Sequence, residues 1–338
     1  MKTVQIKNVS FPVSKICLGT AYFGTAQEEA TAFSIMDTYM DHGGRFFNTA
    51  HEYGEGLSES TIGAWLRARK NRDQIILTTK GGEDHRLRFL RDMHRDSLLQ
   101  DIDESLARLH TDYVDFYMLH LDDTAVSVAE ILETMEEIVK AGKTRHYGCS
   151  NWDVSRQREA DAYAKAHGLQ GFVIDEIQFC LARDNEQNRY LCRTLDDTYV
   201  QLHEEDGKCV GGYSPLATGC LNKFIRDGNF DNCRENYGRL FDNPYTREVG
   251  RRLAQVCKET GWSPTLVQLA WLLNPPYHFP SFLILGASRP EQLVESLSAL
   301  DLTLTPEQMQ YLCPSLAEFP DYNPNFIPVN EFYPGGNV

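Results

Sequence analysis

The chain has 338 residues, enough to bury a full hydrophobic core and within the usual span of one barrel domain, so residues 1–338 are expected to form a single domain. Its composition, 42% hydrophobic and 24% charged, is that of a globular protein and excludes a disordered or fibrous chain. Lys and Arg total 33 against 48 Asp and Glu, a net charge of −15 that opposes nucleic acid and anionic membranes without excluding a local basic pocket.

In chain order, the start reads as a hairpin. Val4 and Ile6 alternate with polar residues, Asn8 sits near the turn, and Phe11 and Val13 follow. Eight short apolar runs come next: Ile16–Thr20, Phe46–Ala50, Ile75–Lys80, Val114–His120, Arg145–Ser150, Val173–Phe179, Val210–Ser214 and Phe282–Ala287. Such runs suit parallel strands buried on both faces. Amphipathic stretches alternate with them. Leu98, Ile102, Leu106 and Leu109 form one helical stripe; Val128, Ile131, Leu132, Met135, Ile138 and Val139 form another, with Gly142 just beyond. Ser263-Pro264 opens a later helix and Pro275-Pro276 stops it. The stretch from Ala217 to Pro244 reads as a long functional loop. Eight strand-then-helix units predict a (β/α)8 TIM barrel of the α/β class, its bottom capped by the hairpin. A doubly wound open sheet is the rival, weakened because no G-x-G-x-x-G follows the first strand.

The nine cysteines are scattered and odd in number, and no C-x-x-C occurs. Reduced thiols, no disulfide framework and no metal are expected. The N-terminal stretch lacks the apolar core of a secretion signal, and no run reaches membrane-spanning length, so a cytoplasmic location is expected.

Barrel chemistry sits at the C-terminal ends of strands. There the sequence offers Tyr53 after the second barrel strand, Lys80 at the end of the third and His120 at the end of the fourth. A lysine at a buried strand end is costly unless paired or used. Beside a tyrosine it stabilises the phenolate and makes the phenol a usable proton donor. A histidine can orient a carbonyl by hydrogen bonding.

The stretches FFNTAHEYGEGLSESTIGAWL, TTKGG, DFYMLHLDD, GCSNW, GGYSPLATGCL and LGASRPEQLVESL resemble the aldo-keto reductase family, in order and across most of the chain from Gly19 to Leu297. The branch nearest in pattern includes bacterial reductases and potassium-channel β-subunits. The resemblance implies NADP(H) as cofactor, with NAD(H) as the alternative, and a small carbonyl or alcohol, sugar-like ones included, as substrate. Tyr53 then corresponds to the general acid, Lys80 to its pKa-lowering partner and His120 to the carbonyl-orienting residue. Ser150, Asn151 and Gln178 correspond to the nicotinamide carboxamide contacts and Tyr213 to the ring stacked on it. Ser214, Pro215, Leu216, Gly219 and Leu221 correspond to the pyrophosphate-side loop, with Gly19, Thr20 and Gly286 lining the cofactor's path. Ser288, Gln292, Glu295 and Ser296 correspond to the adenosine end, and Arg289 to a 2′-phosphate or adenine contact. Tyr22, Phe23 and Trp152 are candidate walls of the substrate pocket, with plain packing as the alternative. The partners implied are small molecules, with a monomer or homo-oligomer both open.

Two positions depart from the family pattern. Asn48 stands where the family usually has Asp, and Ser296 where it usually has Asn. Without a carboxylate at position 48 the Lys80 pKa is expected to fall. Asn48 is therefore expected to alter rate or pH optimum and leave cofactor binding intact. It also keeps open two rival readings: a nucleotide-binding sensor or subunit with low turnover, and a redox-neutral epimerase using bound cofactor.

The run His85–Arg95 holds Arg86, Arg88, Arg91 and His94 interleaved with acids and reads as a solvated loop and helix start. Cys149 and Cys220 read as buried packing residues. The tail carries Phe326, Phe332 and Tyr333, which either fold across the barrel mouth or stay disordered.

Overall fold

The computed structural model describes residues 1–83, 92–185, 192–233, 237–319 and Tyr322. A short antiparallel pair opens the chain, β1 (Thr3–Gln5) with β2 (Pro12–Ser14). Eight parallel strands follow: β3 (Ile16–Gly19), β4 (Phe46–Asn48), β5 (Ile76–Gly81), β6 (Val114–Leu119), β7 (Thr144–Ser150), β8 (Ile174–Gln178), β9 (Cys209–Tyr213) and β10 (Ser281–Leu285). They close in sequence order, β10 pairing with both β9 and β3. All eight strands coincide with the eight apolar runs to within a residue or two at each end.

The helices are α1 (Glu29–Asp41), α2 (Leu57–Arg69), α3 (Arg95–Leu109), α4 (Val128–Lys140), α5 (Val154–His167), α6 (Asp197–Asp206), α7 (Cys220–Asp227), α8 (Tyr237–Phe241), α9 (Pro244–Thr260), α10 (Pro264–Leu273), α11 (Pro290–Ser298) and α12 (Pro306–Tyr311). Local signals explain their ends. Ser127 caps α4 by accepting from the Glu130 N–H, and Ser263 caps α10 by accepting from the Leu266 N–H. The stretch read as a loop from Ala217 to Pro244 instead contains α7 and α8. Leu221 and Phe224 of α7 are buried, and Gly250 of α9 leaves no Cβ in the way of the Phe224 ring. These helices are held by that packing, since they are too short to be marked by periodicity.

Two apolar layers result. The larger lies between strands and helices and includes Phe47, Leu77, Tyr117, Leu119 and Tyr147. The smaller fills the bottom of the barrel, where Ile6, Val9 and Val13 of the hairpin segment meet inward-facing Cys17, Phe46, Phe116, Ile174, Cys209 and Phe282. Phe11 packs edge-on to Phe116 at 5.8 Å. The hairpin therefore plugs the barrel floor and leaves polar inward positions for the opposite end. The run His85–Arg91 and the residues Phe326, Phe332 and Tyr333 lie outside the described residues.

Candidate active site

Strand alternation decides what faces the barrel axis. Phe46 and Phe282 point inward at the bottom. One pleat further up, Asn48, Lys80, Ser150 and Glu176 follow on the same faces. Backbone bonds fix the loops above them: the His51 N–H donates to the Lys80 carbonyl at 2.9 Å, and the His120 N–H donates to the Gly81 carbonyl at 3.0 Å. Tyr53 and His120 are thereby tied to the strand that carries Lys80.

The structure brings Tyr53, Lys80, His120 and Asn48 together. Lys80 Nζ donates to Asn48 Oδ1 at 2.6 Å, to the Thr49 carbonyl at 2.9 Å and to the Tyr53 hydroxyl at 3.3 Å. The Tyr53 and His120 rings meet edge to face at 5.6 Å. A further residue joins them. Glu176 Oε2 lies 3.6 Å from Lys80 Nζ, and Glu176 Oε1 accepts from Asn48 Nδ2 at 2.7 Å. Lys80 and Glu176 are 2% and 1% exposed, so this ion pair is screened by almost no water.

The expectation for Lys80 is reversed. Burial works against its ammonium, but attraction to Glu176 and then to Tyr53 outweighs burial, and its pKa ends above the ordinary value. Asn48 removes a carboxylate from β4; Glu176 supplies one from β8. Burial holds the Tyr53 phenol above its ordinary value, while the Lys80 charge pulls it back part way.

A second acidic group flanks the histidine. His120 Nδ1 lies 2.7 Å from Glu83 Oε1 and 3.8 Å from Glu52 Oε1. Burial, then the Lys80 charge, lowers the His120 pKa to about 4, so the ring is neutral at neutral pH. Burial, then a hydrogen bond with Glu83, raises the Glu52 carboxyl to about 7.

The other expected residues divide into two groups. Ser150, Asn151, Gln178 and Tyr213 cluster beside the lysine. Ser150 Oγ donates to the Glu176 carbonyl at 2.9 Å and Asn151 Nδ2 donates to Ser150 Oγ at 2.9 Å. The Tyr213 hydroxyl donates to Asn151 Oδ1 at 2.8 Å, and Gln178 Nε2 donates to Asp184 at 3.1 Å. Ser214, Gly286, Ser288 and Arg289 are exposed at the strand ends, with Gly19, Leu216, Gly219 and Gln292 half-buried. Ser288 donates from both its backbone N–H and its hydroxyl to Gln292 Oε1, and Glu295 accepts from Ser263 at 2.9 Å.

Several of the expected residues are buried in this structure. Thr20 is fully buried and its hydroxyl donates to the Asn48 carbonyl at 2.9 Å. Pro215, Leu221 and Ser296 are buried. Phe23 is buried, and Trp152 is fully buried with its indole N–H on the Leu121 carbonyl at 3.1 Å and its ring edge-on to Phe172 at 5.0 Å. A wide ring with one polar atom is well satisfied in such a place. Of the three aromatic wall candidates only Tyr22 is exposed.

A sequence model described as the Aldo/keto reductase family matches residues 15–314. The chain belongs to this family. A norsolorinic acid reductase of Emericella nidulans is 30% identical over 321 residues, covering 88% of this chain and 76% of that protein. An aryl-alcohol dehydrogenase [NADP(+)] of Phanerodontia chrysosporium is 30% identical over 314 residues, covering 86% and 76%. An uncharacterized oxidoreductase of Bacillus subtilis is 30% identical over 323 residues, covering 92% and 95%. A solved thermostable aldo-keto reductase in complex with the inhibitor epalrestat shares the fold with a TM-score of 0.69 at 24% identity, covering 92% of this chain and 98% of that one. Membership makes the chain an oxidoreductase barrel. Among the described residues, no helix is long and apolar enough to cross a membrane.

Sequence reading missed Glu176, Glu52 and Glu83 as parts of this centre. For Glu176 a signal existed: an acid in a barrel strand, two residues before Gln178 and so on the same face.

Proposed function

We propose that this chain is an NADP(H)-dependent reductase of aldehydes or ketones, with Tyr53 as general acid, Lys80 as the cation that acidifies it and His120 as the group that orients the carbonyl. The single observation that carries the reading is the buried contact of Lys80 with the Tyr53 hydroxyl at 3.3 Å, at the mouth of a family barrel. The aryl-alcohol relative supports NADP(H) and puts aryl aldehydes first among substrates to assay.

The barrel mouth fits such a nucleotide. α7 and α11 both begin there without a side-chain cap, which leaves N-terminal N–H groups for an anion. Arg289, exposed at the N-cap of α11, would meet a 2′-phosphate. Ser150, Asn151 and Gln178 would hold the carboxamide. Their present bonds to Glu176, Tyr213 and Asp184 set their orientation beforehand. When bound, the nucleotide supplies a hydride to the carbonyl carbon.

The chain's own residues do the rest. The Tyr53 hydroxyl gives its proton to the carbonyl oxygen, and the buried Lys80 ammonium stabilises the phenolate left behind. His120, packed edge to face on the Tyr53 ring, would orient the same oxygen. Glu176 keeps the lysine charged, which favours turnover over the low-turnover reading that Asn48 had kept open. Titration of NADPH fluorescence, followed by absorbance assays on a panel of aldehydes and ketones, tests the proposal. Saturable binding and oxidation of NADPH by a carbonyl are expected. Binding without turnover across the panel would reject it.

A further inference from the structure

Two strands of the barrel, β6 and β7, separate Lys80 from its negative partner. Lys80 is the penultimate residue of β5, Glu176 lies in β8, and their side chains meet across the barrel interior at 3.6 Å. Asn48 of β4 bridges them, accepting from Lys80 at 2.6 Å and donating to Glu176 at 2.7 Å. The amide cannot supply a charge, but it spans the gap with one acceptor and one donor aimed in the correct directions. The neighbouring strand β9 leaves room for this, Gly211 being the register partner of Glu176. Gly211 of β9 faces Glu176, and a Cβ there would stand 3.0 Å from Glu176 Cγ and 2.8 Å from the Phe282 ring. Both distances are too short for an ordinary side chain.

We propose that Glu176 is the counter-ion of Lys80 in this chain, a carboxylate moved from β4 to β8 with Asn48 as its neutral bridge and Gly211 as its clearance. Glu176 acts through Lys80 and is a positioning residue. It holds the lysine as ammonium against burial, and the ammonium in turn sets the acidity of Tyr53. The inference rests on the reductase reading for its catalytic meaning, though not for its electrostatics.

The groups facing Lys80 define what a test must separate. They are Cys17 from β3, Tyr53 and Glu52 from the segment after β4, His120 after β6 and Glu176 from β8. The Cys17 thiol is pushed well up by burial and then by Glu176, so it stays neutral and supplies no negative charge. His120 is neutral as well. Glu176 is the carboxylate in this set that lies within ion-pair distance of Lys80.

The decisive readout uses cofactor-free protein labelled with 13C and 15N in its lysines, the Lys80 signal being the one lost in Lys80→Met. In the native protein that signal stays that of an ammonium through about pH 9. In Glu176→Gln it deprotonates at least ~1 pH unit lower. Asn48→Asp combined with Glu176→Gln returns the charge to β4 and restores the ammonium. In the enzyme assay, Glu176→Gln lowers kcat for carbonyl reduction by about tenfold or more and moves its alkaline limb down, with KM for NADPH changed less than about threefold. The double variant recovers both. An unshifted Lys80 titration in Glu176→Gln overturns the proposal, as does a folded double variant with no recovery. If Glu176→Gln fails to fold, the double variant alone decides: a native Lys80 titration supports the relocation and a lowered one rejects it. A native protein that turns over no carbonyl yet shows this Lys80 behaviour would reject the reductase reading and keep the counter-ion.

Discussion

Lys80 and Glu176 form a buried ion pair at 3.6 Å, although 95 residues and two barrel strands lie between them. Neither residue's own strand would reveal the other. Their meeting follows from barrel closure, which turns the inward face of every strand toward one axis. The pair is what makes the Tyr53 site electrically complete despite the amide at position 48.

Tyr53→Phe removes the proposed proton donor and leaves the ring. We expect kcat for reduction to fall by about 10²–10⁴, the usual worth of a positioned acid. The affinity for NADPH, read by fluorescence, should change little because the ring remains. Retention of full kcat would show that another group delivers the proton.

A pH effect near neutrality is expected from Glu52. Its carboxyl is raised to about 7 by burial and then by the hydrogen bond with Glu83, so it is protonated below that pH and ionised above it. Above pH 7 Glu52 adds a negative charge 3.8 Å from His120. Negative charge develops on the carbonyl oxygen during reduction, so kcat/KM should decline as pH rises through about 7. Glu52→Gln should remove that inflection. An inflection that persists in the variant belongs to a different group.

The same acids bear on substrate choice. Glu83 lies 2.7 Å from His120, so an anionic group carried next to the reacting carbonyl meets repulsion there. A neutral aryl aldehyde should be preferred over its carboxylate-bearing analogue, and Glu83→Gln should narrow the gap in kcat/KM. Equal kcat/KM for the two aldehydes in the native enzyme would exclude this role.

Trp152 distinguishes a packing residue from a pocket wall. It is fully buried, bonded to the Leu121 carbonyl and packed on Phe172. Trp152→Ala should cost about 3–5 kcal/mol of unfolding free energy in urea titrations. Tyr22→Ala, at a side chain 44% exposed, should leave stability nearly unchanged and alter KM for substrate if it borders the pocket. A stable Trp152→Ala protein with altered specificity would return Trp152 to the pocket.

Much of this was legible in the sequence, for identifiable reasons. The eight strands stood out because a parallel strand covered by helices is apolar on both faces, as in Val114–Leu119. Tyr53, Lys80 and His120 stood out because strand ends are where a barrel keeps its polar residues. What stayed hidden was cross-barrel pairing. Asn48 could be recognised as lacking a charge, but the carboxylate that replaces it comes from β8, and no spacing rule links the two positions. Burial was the other blind spot. Thr20 and Ser296 sit at plausible positions along the chain, yet one turn or one pleat decides whether a side chain faces the mouth or the packing behind it. Helices α7 and α8 were hidden within Ala217–Pro244 because helices of eight and five residues are too short to display a repeat.

In the proposed reaction this barrel moves a hydride to a carbonyl while Tyr53 supplies the proton. The most direct test is a single turnover with NADPH deuterated at the transferring position of C4 and an aryl aldehyde, analysed by mass spectrometry. The account predicts one deuterium on the carbinol carbon of the alcohol, and a Tyr53→Phe reaction slower by about 10²–10⁴. No deuterium in any product, or equal rates in the native protein and Tyr53→Phe, would contradict it.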